Sequence, residues 1–237
     1  MIEIKNLTKR YGKKTVLDNL SFEIKNGDIF AFVGHNGAGK TTCIKAMTDV
    51  IAFDSGDILY DKVSIKDKPI ECKKKIAYIP DNPDLYEFLK GIDYLNFIAD
   101  VYEIGEERID AINKYSDAFE LTSSLANPIS SYSHGMKQKL AIISALIRNP
   151  KYLILDEPFV GLDPLANKKL KDYMKKLAKE GTSIFFSTHI LEVAEKLCNK
   201  LAIIKNGKLI VAGDMAKVLK DKSLEDIFME TRDEKSN

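Results

Sequence analysis

Ile29–Thr42 reads IFAFVGHNGAGKTT. Its first five residues are apolar without alternation, which predicts a strand buried on both faces. Gly34, Gly39, Lys40 and Thr41 then fall on the fixed positions of G-x-x-x-x-G-K-[ST]. Behind them Ile44, Met47 and Ile51 lie on one side of an expected helix. Strand, glycine loop and helix in that order predict an α/β fold built around a phosphate loop. Gly34, Gly37 and Gly39 free the backbone to aim several N–H groups at a β-phosphate. Lys40 sets a point charge against the β- and γ-phosphates, and the Thr41 hydroxyl can ligate Mg²⁺. With His35, Asn36, Ala38 and Thr42 completing the loop, Gly34–Thr42 is the expected site of a nucleoside triphosphate with magnesium.

The rest of the 237-residue chain is that of an ordinary globular protein, 45% hydrophobic and 30% charged. Lys+Arg 36 against Asp+Glu 35 leaves a net charge of +1, which gives no electrostatic case for nucleic acid or an acidic membrane surface. Cys43, Cys72 and Cys198 form no CxxC pair and read as buried thiols of a reducing compartment. The start, MIEIKNLTKR, lacks the apolar core of a signal peptide. Runs such as LAIISALI fall short of the roughly 18 residues of a spanning helix. The expectation is a cytosolic protein; any membrane span must come from another chain.

Outward from the loop, the period of the apolar residues changes twice. Ile2, Ile4, Phe22 and Ile24 alternate, with Asn26-Gly27 as a turn, and predict antiparallel strands before the loop. IAYIP (Ile76–Pro80) is a short strand closed by the turn-forming DNP. From Leu85 to about Asn149 the spacing is helical. Leu95, Ile98 and Val101-Tyr102 mark one face, Ile109, Ile112, Tyr115 and Phe119 a second, and Met136, Leu140, Ile143 and Ile147 a third. This predicts a helical subdomain inserted into the α/β core. Strand YLILD (Tyr152–Asp156), a helix over Pro164–Lys179 and strand SIFFS (Ser183–Ser187) resume the core. LAIIK-NG-KLIVAG reads as a hairpin on a type I′ turn, and the tail TRDEKSN reads as frayed. In the lysine-rich helix, Leu170, Tyr173-Met174 and Leu177 supply an inward face, so its lysines read as a solvated side rather than a nucleic-acid contact.

In a parallel sheet the C-terminal strand ends share one edge, and two strands end there in reactive groups. YLILD-E-P delivers Asp156 and Glu157: the first suits a direct or outer role at Mg²⁺, the second positioning or deprotonating an attacking water. SIFFS-T-H delivers His189, which in isolation reads as structural. Directly beyond a buried strand it is placed to hold the γ-phosphate and water. Between them, SYSHGMKQKL (Ser131–Leu140) reads as a helix start capped by Ser133, with free N–H groups suited to a phosphate.

The series P-loop, SYSHGMKQKL, YLILDEP, GLD and SIFFSTH, with a helical insert between the first two, resembles the nucleotide-binding subunit of an ATP-binding cassette (ABC) transporter over almost the whole chain. The resemblance implies a single α/β domain with a P-loop NTPase core and a mainly parallel central sheet. An N-terminal antiparallel β subdomain and an inserted helical subdomain complete it, with residues 1–84 and 150–237 as core and 85–149 helical. It implies ATP and Mg²⁺ as cofactors, and an ATPase with Lys40, Glu157 and His189 as catalytic residues. The implied partners are a second copy or a homologous subunit, sandwiching two ATPs head to tail, and an integral membrane permease, with no nucleic acid. The implied place is the cytoplasmic face of the membrane, and the SHGMKQ segment is similar to bacterial exporter subunits.

Carried over by position, Tyr11 matches the aromatic residue that stacks on adenine, although Tyr11-Gly12 alone reads as a surface turn. Ser133 and Gly135 match the signature residues that reach the γ-phosphate across the dimer. Gly161, Leu162 and Asp163 match the loop between the two sites, with Asp163 coupling them, and His189 matches the switch histidine. His134 stands where the family usually has glycine, Met136 where it has glutamine, and Asp81 where a glutamine touches Mg²⁺. Asp81 can ligate Mg²⁺ or cap the turn before Asn82-Pro83. Two other classes share the loop. A relative acting on DNA or the ribosome would bring a long coiled coil or a second cassette, and a small-molecule kinase would not need the signature helix.

Overall fold

The computed structural model describes residues 1–220 and 222–233, with side chains through residue 230. Alternating residues at the start form β1 (Ile2–Tyr11) and β2 (Lys14–Ile24), antiparallel from Ile2 opposite Ile24 to Tyr11 opposite Lys14. This hairpin turns at Gly12-Lys13. Asn26-Gly27 is a turn too, with the Asp28 N–H donating to the Lys25 carbonyl, but it hands the chain to another sheet instead of closing a hairpin. β3 (Ile29–Val33) follows, then the loop and α1 (Lys40–Met47). The helix stops short of Ile51 because Asp49 takes a left-handed φ of 54° and the Val50 N–H reaches back to the Lys45 carbonyl.

β4 (Ser55–Tyr60), β5 (Val63–Ser64), α2 (Pro69–Lys75) and β6 (Ile76–Ile79) lead to the helical stretch. That stretch holds α3 (Gly91–Val101), α4 (Arg108–Ala118) and α5 (His134–Leu146). β7 (Tyr152–Asp156), α6 (Pro164–Lys179), β8 (Ser183–Thr188) and α7 (Leu191–Leu197) then alternate. β9 (Lys200–Lys205) and β10 (Lys208–Asp214) form the expected hairpin, Asn206 and Gly207 both taking positive φ, 49° and 78°. α8 (Met215–Leu219) and α9 (Leu224–Asp233) follow. The frayed tail read at 231–237 falls, beyond Asp233, outside the described residues.

Two sheets result. One is antiparallel, in the order β2-β1-β4-β5; the other, β10-β9-β3-β8-β7-β6, has five parallel strands and β10 antiparallel at its edge. Because side chains alternate across a strand, the second sheet feeds two cores. Ala31, Val33, Leu153, Leu155, Ile184 and Phe186 join the core shared with α3–α9. Phe30, Phe32, Tyr152, Ile154 and Phe185 face α1 and the first sheet. There Phe22 packs its ring 5.4–5.9 Å from those of Phe30, Phe32 and Phe185.

α5, buried from Leu140 to Leu146, makes the helical stretch continuous with the sheet's core. Val101 and Ile109, placed on inner faces by their spacing, are 53% and 63% exposed. α3 instead buries Gly91, Leu95 and Ala99. Its close approach is at Gly91, where an added Cβ would lie 2.3 Å from the Tyr132 hydroxyl, and this turns Val101 outward. Cys43, Cys72 and Cys198 are free and buried, as expected. Among the described residues no helix is long and apolar enough to cross a membrane.

Candidate active site

The register of three parallel strands decides where the reactive groups gather. Val33 is level with Thr188, and Asp156 with Ser187. The residues that follow, Gly34, Glu157 and His189, therefore leave the sheet at one edge. A cleft of about 520 Å³ opens there, a size suited to a small ligand. Tyr11, Lys14 and Val16 of the hairpin line it on one side. His35, Asn36, Gly37 and Gly39–Thr42 of the loop, with Asp81 and Glu157, line the rest. Tyr11 is 52% exposed, with Lys9 Nζ 5.0 Å from its ring centre.

The loop needs its glycines for two reasons. Gly37 and Gly39 take φ of 79° and 111°, the left-handed region, whereas a Cβ at Gly34 would lie 2.7 Å from Ile204. Ala38 is buried, its N–H donating to the His35 carbonyl and its carbonyl accepting from the Gly207 N–H. Lys40 is 6% exposed; its Nζ donates to the Gly34 carbonyl at 2.7 Å and lies 3.3 Å from Glu157 Oε1.

Glu157 is held from three sides. Besides Lys40, His189 Nδ1 lies 3.0 Å from its Oε2, and its own N–H donates to Ser187 Oγ at 3.0 Å. Its backbone takes φ 46°, a conformation that costs a non-glycine residue about 1–3 kcal/mol and persists where the surroundings impose it. The Ser187 hydroxyl donates to Asp156 Oδ1. Asp156 is 1% exposed, and its second oxygen, Oδ2, has no hydrogen-bond partner. Asp81 lines the cleft, and among the described residues no hydrogen bond to its carboxylate caps the turn before Asn82-Pro83. Burial, and then the charges of Asp156 and Glu157, raise its carboxyl above the usual carboxylate range. A carboxyl so placed favours a cation beside it.

Ser133, Gly135 and Asp163 do not line the cleft. Ser133 caps α5, its Oγ accepting from the Met136 N–H at 3.3 Å. His134 fits where the resemblance expects glycine because its ring lies against Gly161, which has no side chain to meet it. Asp163 caps α6 through the Ala166 N–H at 2.8 Å and pairs with Lys139 Nζ at 2.7 Å. Lys139, and then the Ala166 N–H, hold its carboxyl below the usual range. The motifs did not single out Ser187, Lys139, Lys14 or Phe228, whose ring lies 4.5 Å from that of His35. Ser187 alone had a signal, its place two residues before His189 on a buried strand.

A family model described as ABC transporter matches residues 17–160. YhcH of Bacillus subtilis, an uncharacterized ABC transporter ATP-binding protein, is 38% identical over 212 residues, 89% of this chain and 68% of its own length. The lantibiotic transport ATP-binding protein SrtF of Streptococcus pyogenes is 34% identical over 211 residues, 89% of this chain and 90% of its own. A solved ATP-binding subunit of an ABC transporter superposes with a TM-score of 0.94 at 33% identity, covering 98% of this chain and 99% of that one. The strand-edge cleft and the ordered series of motifs thus have their counterpart in known proteins: the chain belongs to the ABC transporter family, among its ATP-binding subunits.

Proposed function

We propose that this subunit hydrolyses ATP with Mg²⁺ to drive a separate membrane permease, an exporter, by closing head to tail on a second ATP-binding subunit. The observation that carries this reading is the contact chain Lys40–Glu157–His189 at the mouth of the phosphate loop. Tyr11 offers a ring to adenine, and the loop N–H groups with Lys40 hold the phosphates. Glu157 orients the attacking water and takes its proton on a carboxylate oxygen, while His189 Nδ1 keeps that carboxylate aimed.

The residues present fit Mg²⁺. Asp156 Oδ2 is buried without a partner, and a cation or its bound water would satisfy it. Thr41, Asp156 and Asp81 would hold the ion, which neutralises charge on the phosphoryl group being transferred. Among the described residues no three His, Cys, Asp or Glu converge to hold a metal unaided, which suits an ion shared with phosphates.

Pairing is supported by the separation within one chain: Ser133, Gly135 and Asp163 lie outside the cleft and would serve the ATP of a partner. A membrane partner is supported by an exposed aromatic patch around the helical stretch. Phe88 is 82%, Tyr86 50% and Phe97 41% exposed, with the Tyr86 ring 5.6–6.0 Å from the other two. Exposed clusters of this kind mark interaction sites. Export rests on the SHGMKQ segment and on a relative named for lantibiotic transport. Purification from membranes in mild detergent tests the reading: a co-purifying protein with several spanning helices supports it, and ribosomes or DNA contradict it. Lys40→Ala tests the cleft, with ATP affinity expected to fall by roughly 10–100-fold in a fluorescent-nucleotide titration.

A further inference from the structure

Each residue of Gly161-Leu162-Asp163 is held by a side chain from outside the loop. The imidazole of His134 occupies the space beside Gly161, where an added Cβ would lie 2.7 Å from its Cδ2 and 3.0 Å from its Nε2. Asn167 Nδ2 donates to the Leu162 carbonyl at 3.2 Å. Lys139 Nζ lies 2.7 Å from Asp163 Oδ2, with 13% of the lysine side chain exposed. The Gly161 carbonyl in turn backs onto Gly135, where an added Cβ would meet it at 2.9 Å. Two of these three holding side chains, at 134 and 139, belong to the first turns of α5, the helix that Ser133 caps.

We propose that His134 and Lys139 are positioning residues that fasten the Gly161–Asp163 loop to the start of α5, so that Ser133, Gly135 and Asp163 meet a partner subunit as one rigid piece. Neither side chain lines the cleft, so both act through the residues they place. A ring contact at one end of the loop and an ion pair at the other prevent loop and helix from shifting independently. For its consequence in catalysis the inference rests on the paired-subunit reading; the contacts themselves lie within one chain. Rigid placement matters because misplacing a reacting group by about 1 Å can lower a rate on the order of a hundredfold.

Two measurements on the full chain separate these levels. Hydrogen–deuterium exchange of the segment Val160–Asp163, without nucleotide, reads the fastening. Steady-state phosphate release, with kcat, KM and the Hill coefficient, reads its consequence. His134→Ala and Lys139→Met are expected to speed exchange in the loop. They should leave KM within about twofold, lower kcat by about tenfold or more and bring the Hill coefficient toward one. Lys139→Arg, which keeps the ion pair, should behave as the wild type in both. His134→Gly removes the ring and leaves the pair, so a Lys139→Met protein that fails to fold does not remove the test. Unchanged loop exchange in the folded variants overturns the fastening. Faster exchange with unchanged kcat overturns the positioning role. A wild type that neither hydrolyses ATP nor pairs defeats the paired-subunit reading instead, and the fastening still stands or falls on exchange.

Discussion

The two regions that carry the family's motifs are built in opposite ways. At the cleft, Lys40 and the adjacent pair Asp156-Glu157 come from two distant stretches of chain, are largely buried, and already touch one another or a shared neighbour. At the signature segment, Ser133, His134 and Gly135 are consecutive, and the first two are exposed. Ser133 spends its hydroxyl on the first turn of its own helix. The sheet register assembles the first region within one subunit, while the second lies outside that cleft, at the start of a single helix. Under the proposed function the difference divides the work between them: chemistry at the cleft, recognition at the helix start.

Substitutions can break that contrast in order of size. Glu157→Gln should lower phosphate release by about 10²–10⁴-fold while ATP still binds, because it removes the proposed base without removing the loop. Near-normal turnover would show that another group activates the water. Ser133→Arg should leave ATP binding by the single subunit intact and abolish ATP-driven pairing, read by light scattering. Intact pairing would mean that the helix start does not face a partner.

Ser187→Ala takes the donor from Asp156 and the acceptor from the Glu157 N–H. A loss of about 1–3 kcal/mol in denaturant unfolding is expected, since a buried carboxylate and a partly buried N–H lose a partner. An unchanged midpoint would indicate that the two carboxyl residues are held by other means. The smallest effect is at Asp163, whose carboxyl Lys139 holds below the usual range. A lowered carboxyl pKa contributes stability above the ordinary carboxylate value, and that contribution is lost as pH falls through the lowered one. Because solvent reaches the Asp163 end of the pair, that contribution is about 1 kcal/mol or less. Melting temperature against pH should therefore fall slightly more in the wild type than in Lys139→Met over the acid range, and parallel curves would remove the pair from the stability of the signature region.

Much of this was legible in the sequence, for a local reason. IFAFV, YLILD and SIFFS announce buried strands by unbroken apolarity, and GHNGAGKT needs its own glycines whatever surrounds it. Spacing overreached where a helix met its neighbours. Spacing extends α1 to Ile51, but a left-handed Asp49 ends it earlier; it turns Val101 and Ile109 inward, but α3 buries Gly91, Leu95 and Ala99 and α4 buries Ile112, Tyr115 and Ser116 instead. The place of His134 against Gly161 and of Lys139 against Asp163 had no sequence signal, since each depends on how two segments about 25 residues apart pack.

By itself, then, the sequence determined the phosphate loop, the strands that end in Asp156, Glu157 and His189, and the capped helix at Ser133, because each is set by residues adjacent along the chain. The tertiary structure decided which of these groups touch. Parallel pairing in one register, Asp156 beside Ser187 and Val33 beside Thr188, brings Lys40, Glu157 and His189 to one edge. A shift of one residue would reverse the alternation that buries Phe185 and Phe186 in opposite cores and pull that edge apart.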